Sequence, residues 1–327
     1  MIKHFINLQW KSFFRAASLK SNIAIKILMI FAALYMAVIF IAMGVGVYFL
    51  IKDQNMGDPF EVVNGFMIYY LAVDLVFRYM LQKMPVTNIK PLLYLPLKRA
   101  QIVNFSLGKT ILSYFNWSHA FFFIPFSIVL LVEGYNPLGV IGWHLGIIAI
   151  IYCNNFINVL VNNKDALFYS IIAILALLGA SQYFELFDIT TITGPFFNAL
   201  YNLPWLALVI IAVAISLYFV AFQYFKKNLY LDAGLATKET IAKTEDLSWL
   251  NRFGNLGVFL KNDIKLIKRN KRARMAVITS FVFIFYGFLF FTGAIEVYDG
   301  PIWRIFAGIF ISGGFLFSFG QFVPSWD

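Results

Sequence analysis

The chain has 327 residues, of which 61% are hydrophobic and only 13% charged, with a mean hydropathy of +0.77. Soluble domains run about 45–50% apolar and about 25% charged, so this composition excludes an ordinary soluble globule and points to a chain that crosses a bilayer several times. The net charge of +10 does not mark a nucleic-acid binder, because Lys and Arg sit between the apolar runs, where membrane topology accounts for them.

At the start, residues 1–22 mix Phe5, Ile6, Leu8, Trp10, Phe13 and Phe14 with Lys3, Lys11 and Arg15. That mixture suits a helix lying in the interface plane, with Trp10 at headgroup depth and Lys11 and Arg15 toward water. It has neither the basic-then-apolar order nor the small-residue cleavage site of a signal peptide. Long apolar runs come next, at about Ile23–Leu50, Val62–Leu81, Ile111–Val132, Val140–Val161, Ala166–Tyr183 and Leu203–Tyr224. Each approaches the roughly 20 apolar residues needed to span a bilayer. A polar stretch covers residues 226–274, and two further runs lie at about Met275–Phe291 and Ile302–Phe322. The expected fold is an all-α polytopic bundle of about eight spans, with amphipathic interfacial helices at the N-terminus and before the seventh span.

The connections alternate in charge. Lys3, Lys11, Arg15 and Lys20 precede the first run, and Asp53, Asp58 and Glu61 come after it. Lys83, Lys90, Lys98, Arg99 and Lys109 come after the second run, then Glu133, then Lys164 with Asp165, then Glu185 and Asp188. The 226–274 stretch is rich in Lys and Arg, and Glu296 and Asp299 lie in the last connection. The positive-inside rule turns this alternation into a topology with both termini cytoplasmic.

Between the second and third runs, Pro91–Thr110 reads PLLYLPLKRAQIVNFSLGKT. Leu92, Leu93, Leu95 and Leu97 make one apolar side, with Lys98, Arg99 and Gln101 next as polar residues. Such a segment is too short to span and reads as a basic cytoplasmic hook at the interface. Later, FLKNDIKLIKRNKRAR repeats the theme; laid on FINLQWKSFFRA, it pairs Lys11 with Lys265 and Arg15 with Arg269. Residues 23–225 then form one six-span unit, with its cytoplasmic segment at 85–110. Residues 275–327 read as the opening of an incomplete second half, since repeats are common in transporters.

This layout resembles the permeases of the ABC-2-type exporter superfamily, and among them a group of long bacterial multi-pass proteins with an NDIKLIKRNKR-like segment before a later span. The resemblance rests on the basic N-terminal helix, two spans, then Leu95, Pro96, Lys98, Arg99, Gly108 and Lys109 before the third span. It implies that the N-terminal helix is an elbow and that Leu95, Pro96, Leu97, Lys98, Arg99, Gln101 and Lys109 form a coupling helix. That helix would dock on a separate cytoplasmic ATPase, which would bind ATP and Mg, leaving this chain with no cofactor. A second copy or second membrane subunit would complete the transporter, in the inner membrane of a bacterium. The rival expectation is a non-transporting membrane scaffold that binds cytoplasmic partners.

Polar residues inside the runs are the remaining candidates. Asp74 and Arg78 stand at i,i+4 on one face of the second run. An ionised group at mid-bilayer costs about 2.5–3.5 kcal/mol, so pairing is expected, with a structural pair favoured over a substrate or gating contact. Asn154, Asn158 and Asn162 form a stripe on the fourth run, with Asn155 and Asn163 beside it. Amides so placed bridge helices more often than they line a pathway. Asn116, Ser118 and His119 add polar groups to the third run. Gly108–Lys109–Thr110 is not a phosphate loop, since Val103 stands where the first Gly is required. His4, His119 and His144 have no metal-ligand spacing, and no catalytic signature stands out, so neither metal nor enzyme activity is expected.

Overall fold

The computed structural model describes residues 23–82, 96–161, 164–228 and 247–269, together with helical residues 7, 11, 277, 280, 281, 284, 285, 287 and 288. Among the described residues the structure is helical, with no strand. The helices are α1 (Ile23–Asp53), α2 (Pro59–Leu81), α3 (Arg99–Ile111), α4 (Tyr114–Trp117), α5 (Ala120–Val132), α6 (Pro137–Val161), α7 (Asp165–Tyr183), α8 (Thr190–Asn202), α9 (Leu206–Asn228) and α10 (Gly254–Arg269), the last preceded by a 3₁₀ helix at Ser248–Phe253. They divide into two compact units, Leu34–Lys238 and a second made of Met1–Ala33 with Glu239–Asp327. The two expected spans beyond Arg274 fall largely outside the described residues.

Within Leu34–Lys238, four helices are long and apolar enough to cross a membrane: Leu34–Asp53, Pro59–Met80, Pro137–Val161 and Leu206–Lys227. A fifth crossing is made if the bent pair Arg99–Trp117 and Ala120–Val132, at 57°, counts as one. The protein is therefore a multi-pass membrane protein. Leu34, Val38 and Ile41 on α1 and Leu208, Val213 and Phe219 on α9 are exposed, as lipid-facing side chains should be.

Local sequence sets the helix starts. Asp58 caps α2, its carboxylate accepting from the N–H groups of Phe60 and Glu61 at 2.9 and 3.1 Å, with Pro59 in the first turn. Asn136 does the same for α6 through Leu138 and Gly139. Packing relies on small residues. A Cβ on Gly44 of α1 would sit 2.4 Å from the carbonyl oxygen of Phe122, and one on Gly142 of α6 would sit 2.5 Å from Pro204. Glycine permits these approaches where no hydrophobic force pulls helices together.

The contacts fix helix directions. Asn64 of α2 meets Trp143 of α6, and farther along Leu71 and Asp74 meet Asn154, so α2 and α6 are parallel. Gly142 meets Pro204 just before α9, and Phe156 meets Tyr218 within it, so α9 runs the same way. Lys52 of α1 and Glu133 at the end of α5 are joined, and Tyr69 of α2 bonds Gln182 of α7, so those three helices run oppositely. One end of the unit consequently gathers Lys52, Asp53, Asp58, Glu61, Glu133, Glu185 and Asp188; the other gathers Lys98, Arg99, Lys164, Asp165, Lys226 and Lys227.

Two expectations are corrected. Ile111–Val132 is not one straight helix, because α3 ends at Ile111 and α5 begins only at Ala120. The side chains of Ser113, Asn116 and Ser118 hold the irregular stretch, replacing helix hydrogen bonds. Ile102, Val103 and Leu107 of α3 are fully buried against Phe156, Val159, Ala221 and Phe225, so its apolar face is filled by α6 and α9. The segment expected to be a plain connection after α7 also contains a helix. α8 packs on α2 and α6, with Phe197 and Leu200 buried and Asn198 accepting from Asn64.

Candidate functional site

A buried polar node joins α2, the α3–α5 break and α6. It begins from a stripe on α2, Tyr70, Asp74, Arg78 and Gln82, each four residues after the last. Four-residue steps keep side chains on one helix face. Arg78 is fully buried, and its Nε donates to both Asp74 oxygens, at 2.9 and 2.7 Å. Its Nη1 donates to Asn116 Oδ1 at 2.7 Å, and its Nη2 to the carbonyl of Phe115 at 2.9 Å. The guanidinium thus neutralises a carboxylate on its own helix and holds the backbone of the broken one.

Asn116 works at the same break. Its amide nitrogen donates to the carbonyls of Thr110 and Ile111, at 2.9 and 3.0 Å. These are among the last carbonyls of α3, past the reach of its own regular bonds, although the Ser113 N–H also reaches the Thr110 carbonyl at 3.1 Å. An unsatisfied carbonyl in a membrane interior costs several kcal/mol, so the bonds from Asn116 and Arg78 help the break persist.

His119 faces the same node. Its Nε2 lies 3.1 Å from Asp74 Oδ1 and 3.2 Å from Arg78 Nη2, and its Nδ1 bonds the Tyr70 hydroxyl. With Nε2 protonated, His119 donates to Asp74 and accepts from Tyr70; with Nδ1 protonated, it donates to Tyr70 and accepts from Arg78. Both tautomers find partners on α2.

The asparagines of α6 complete the set. Asn154 donates to Asp74 Oδ2 at 3.1 Å and to the Leu71 carbonyl at 2.8 Å. Asn155 donates to Thr110 Oγ1 and accepts from Gln82, and Asn158 donates to Gln82 Oε1. The structure thus brings together Asp74, Arg78, Asn116, His119, Asn154 and Asn158, all expected from sequence; Asn162 lies outside the described residues. Sequence reasoning missed Tyr70, Gln82 and Thr110 as partners. The four-residue stripe on α2 was the signal that could have found the first two.

The other expected sites divide. At the basic end Pro96, Lys98 and Arg99 are exposed and Leu97 is half-buried; Lys109, also half-buried, lies in the last turn of α3, and Leu95 is outside the described residues. Gln101 accepts from the Lys98 N–H at 3.2 Å and so fixes the start of α3. Of the interfacial candidates, Lys11 is helical and exposed, Lys265 and Arg269 lie on α10, and Trp10 and Arg15 are outside the described residues.

At the acidic end, Lys52 Nζ lies 2.5 Å from Glu133 Oε2, and Tyr48 donates to the same oxygen. The hydrogen bond from Lys52 holds the Glu133 carboxyl below its usual range. Tyr135 donates to Asp58 Oδ2, and burial, together with that carboxylate, pushes its hydroxyl up. Among the described residues, no group of His, Cys, Asp and Glu could hold a metal.

Residues 9–327 match DUF5687, a family of unknown function. The chain belongs to that family. No curated protein and no solved structure matches it. The matched residues include parts of both units.

Proposed function

We propose that this DUF5687 protein is the membrane subunit of an ABC-type exporter in a bacterial inner membrane, driven by ATP hydrolysed in a separate cytoplasmic subunit. On this reading the basic end is cytoplasmic, as positively charged connections prefer. The full chain makes about eight spans with both termini inside.

The observation that carries the proposal is the course of α3. Its start exposes Lys98 and Arg99 at the basic end, and its finish is held by Asn116 inside the node. A rigid helix of 13 residues is about 20 Å long, enough to carry a displacement from surface to interior. A partner that binds Lys98 and Arg99 through acidic residues and moves on ATP binding would push the Thr110 and Ile111 carbonyls against Asn116 and Arg78. The node has a second hydrogen-bond pattern ready in the His119 tautomers. Switching between two packed arrangements is how a local push becomes a helix movement.

The test is a pulldown of tagged full-length protein from mild detergent, wild type beside Lys98→Glu/Arg99→Glu, with mass spectrometry of the co-purifying proteins. The proposal expects an ATPase subunit with the wild type and its loss from the double variant. If a folded wild type brings no ATPase, coupling to ATP is refuted, and a scaffold binding other cytoplasmic partners takes its place.

A further inference from the structure

α10 is an amphipathic helix that the exporter proposal does not use. Leu256, Phe259, Leu260, Ile264 and Ile267 recur at helical spacing on one side, and Lys261 and Lys265 on the other. At its start Gly257 packs on the Leu250 carbonyl so closely that a Cβ would lie 2.0 Å from it. Leu256 just before that anchor and Phe259 and Leu266 after it are exposed, Phe259 to 68%, while Leu260, Ile264 and Ile267 are half-buried. The preceding 3₁₀ helix adds exposed Trp249 and Phe253, with the Arg252 guanidinium over both rings.

We infer that α10 and the 3₁₀ helix form a docking surface for an anionic lipid leaflet. Charge and shape argue for this occupant. Exposed aromatic and aliphatic side chains lie beside half-buried Lys265, whose stem can run along the apolar boundary while its ammonium reaches phosphates, and beside Lys261, whose ammonium also donates to Asn251 Oδ1. Trp249 suits headgroup depth. The sequence continues basic through Lys271, Arg272 and Arg274, and clusters of this kind beside a membrane segment select anionic lipids. Asp263 falls within the apolar row and keeps the helix at headgroup level. The apolar run that opens at Met275 sets this surface directly beside a membrane segment, where a leaflet rather than a soluble protein groove lies.

The experiment uses the full-length protein in nanodiscs on a Cys153→Ala background, which removes the only cysteine. An environment-sensitive dye is placed at Phe259→Cys or, about 100° round the helix, at Val258→Cys. In discs with about 30 mol% phosphatidylglycerol, a lipid-borne quencher should quench the dye at 259 at least about twofold more than at 258. Each basic residue near an anionic surface is worth about fivefold in binding, so Lys261→Glu/Lys265→Glu should erase the difference, as should high salt. Asp263→Asn should enlarge it without disturbing either lysine. Equal quenching at both positions, or the same pattern in purely zwitterionic discs, overturns the inference. So does a dye at 259 that is shielded from water yet out of reach of the quencher, which would place protein on this surface. The lipid experiment does not involve the ATPase, so its failure leaves the exporter proposal standing.

Discussion

Arg78 on α2 and Asn116 in the broken span are joined at 2.7 Å, and each also holds main-chain carbonyls that the break sets free. The bend is thereby tied to a charge on another helix. A charge that the bilayer would otherwise penalise becomes the partner that a broken helix needs.

Removing that charge alone should be severe. Arg78→Met leaves Asp74 buried without its cation, and breaking a buried pair costs about 3–5 kcal/mol. Asp74→Leu/Arg78→Met should lose less than Arg78→Met, because no unpaired charge remains. Thermal unfolding in micelles, read by a thiol-reactive fluorogenic dye at buried Cys153, measures both. A double variant weaker than the single one would contradict the pairing.

Asn116→Ala should destabilise by about 1–3 kcal/mol, the range for stranding buried polar groups. Its effect should be strongly non-additive with Arg78→Met, since the two share one network. A double-mutant cycle in the same assay checks this; simple additivity would mean that the contact does little.

Two glycines on α1 give a paired control. Gly44→Ala drives a methyl group to 2.4 Å from the Phe122 carbonyl oxygen, whereas nothing lies within 4 Å of a Cβ at Gly46. The first substitution should cost about 1–3 kcal/mol as overpacking. Gly46→Ala should be neutral or slightly stabilising, through a gain in helix propensity. Equal effects would show that α1 and α5 are not so closely packed.

The Lys52–Glu133 pair supplies a pH dependence. Its Glu133 carboxyl titrates below the usual carboxylate value when folded, so the pair's contribution is complete above that value and is lost as pH falls through the folded one. The unfolding temperatures of wild type and Lys52→Met should differ near neutrality and converge as the medium is acidified below about pH 4. Both groups are solvent-accessible, so the difference should also shrink in high salt. A gap that widens on acidification would assign Glu133 a different partner.

Asp74 with Arg78 could be recognised from spacing alone, and the asparagines of α6 could be expected to bridge helices. Which helix each would bridge to was not legible. Asn154 answers Asp74 while Asn155, one residue on, answers Thr110 and Gln82, because adjacent residues on a helix point about 100° apart. Nor did the sequence mark α8 as a helix. Thr190–Asn202 contains Pro195 and Gly194, which argue locally against one. It forms because Phe197 and Leu200 fill the space between α2 and α6.

By itself the sequence determined that the chain is helical and multi-pass, and where most apolar helices run, because apolar length and loop charge are local quantities that the bilayer reads directly. Only the tertiary structure decided that the third run bends, that the apolar side of α3 is occupied, and that the scattered polar residues form one node. Those outcomes depend on partners supplied from elsewhere in the chain: Asn116 can hold a broken helix end only where Arg78 meets it, and α3 can bury its leucine and valine only where α6 and α9 leave a matching groove.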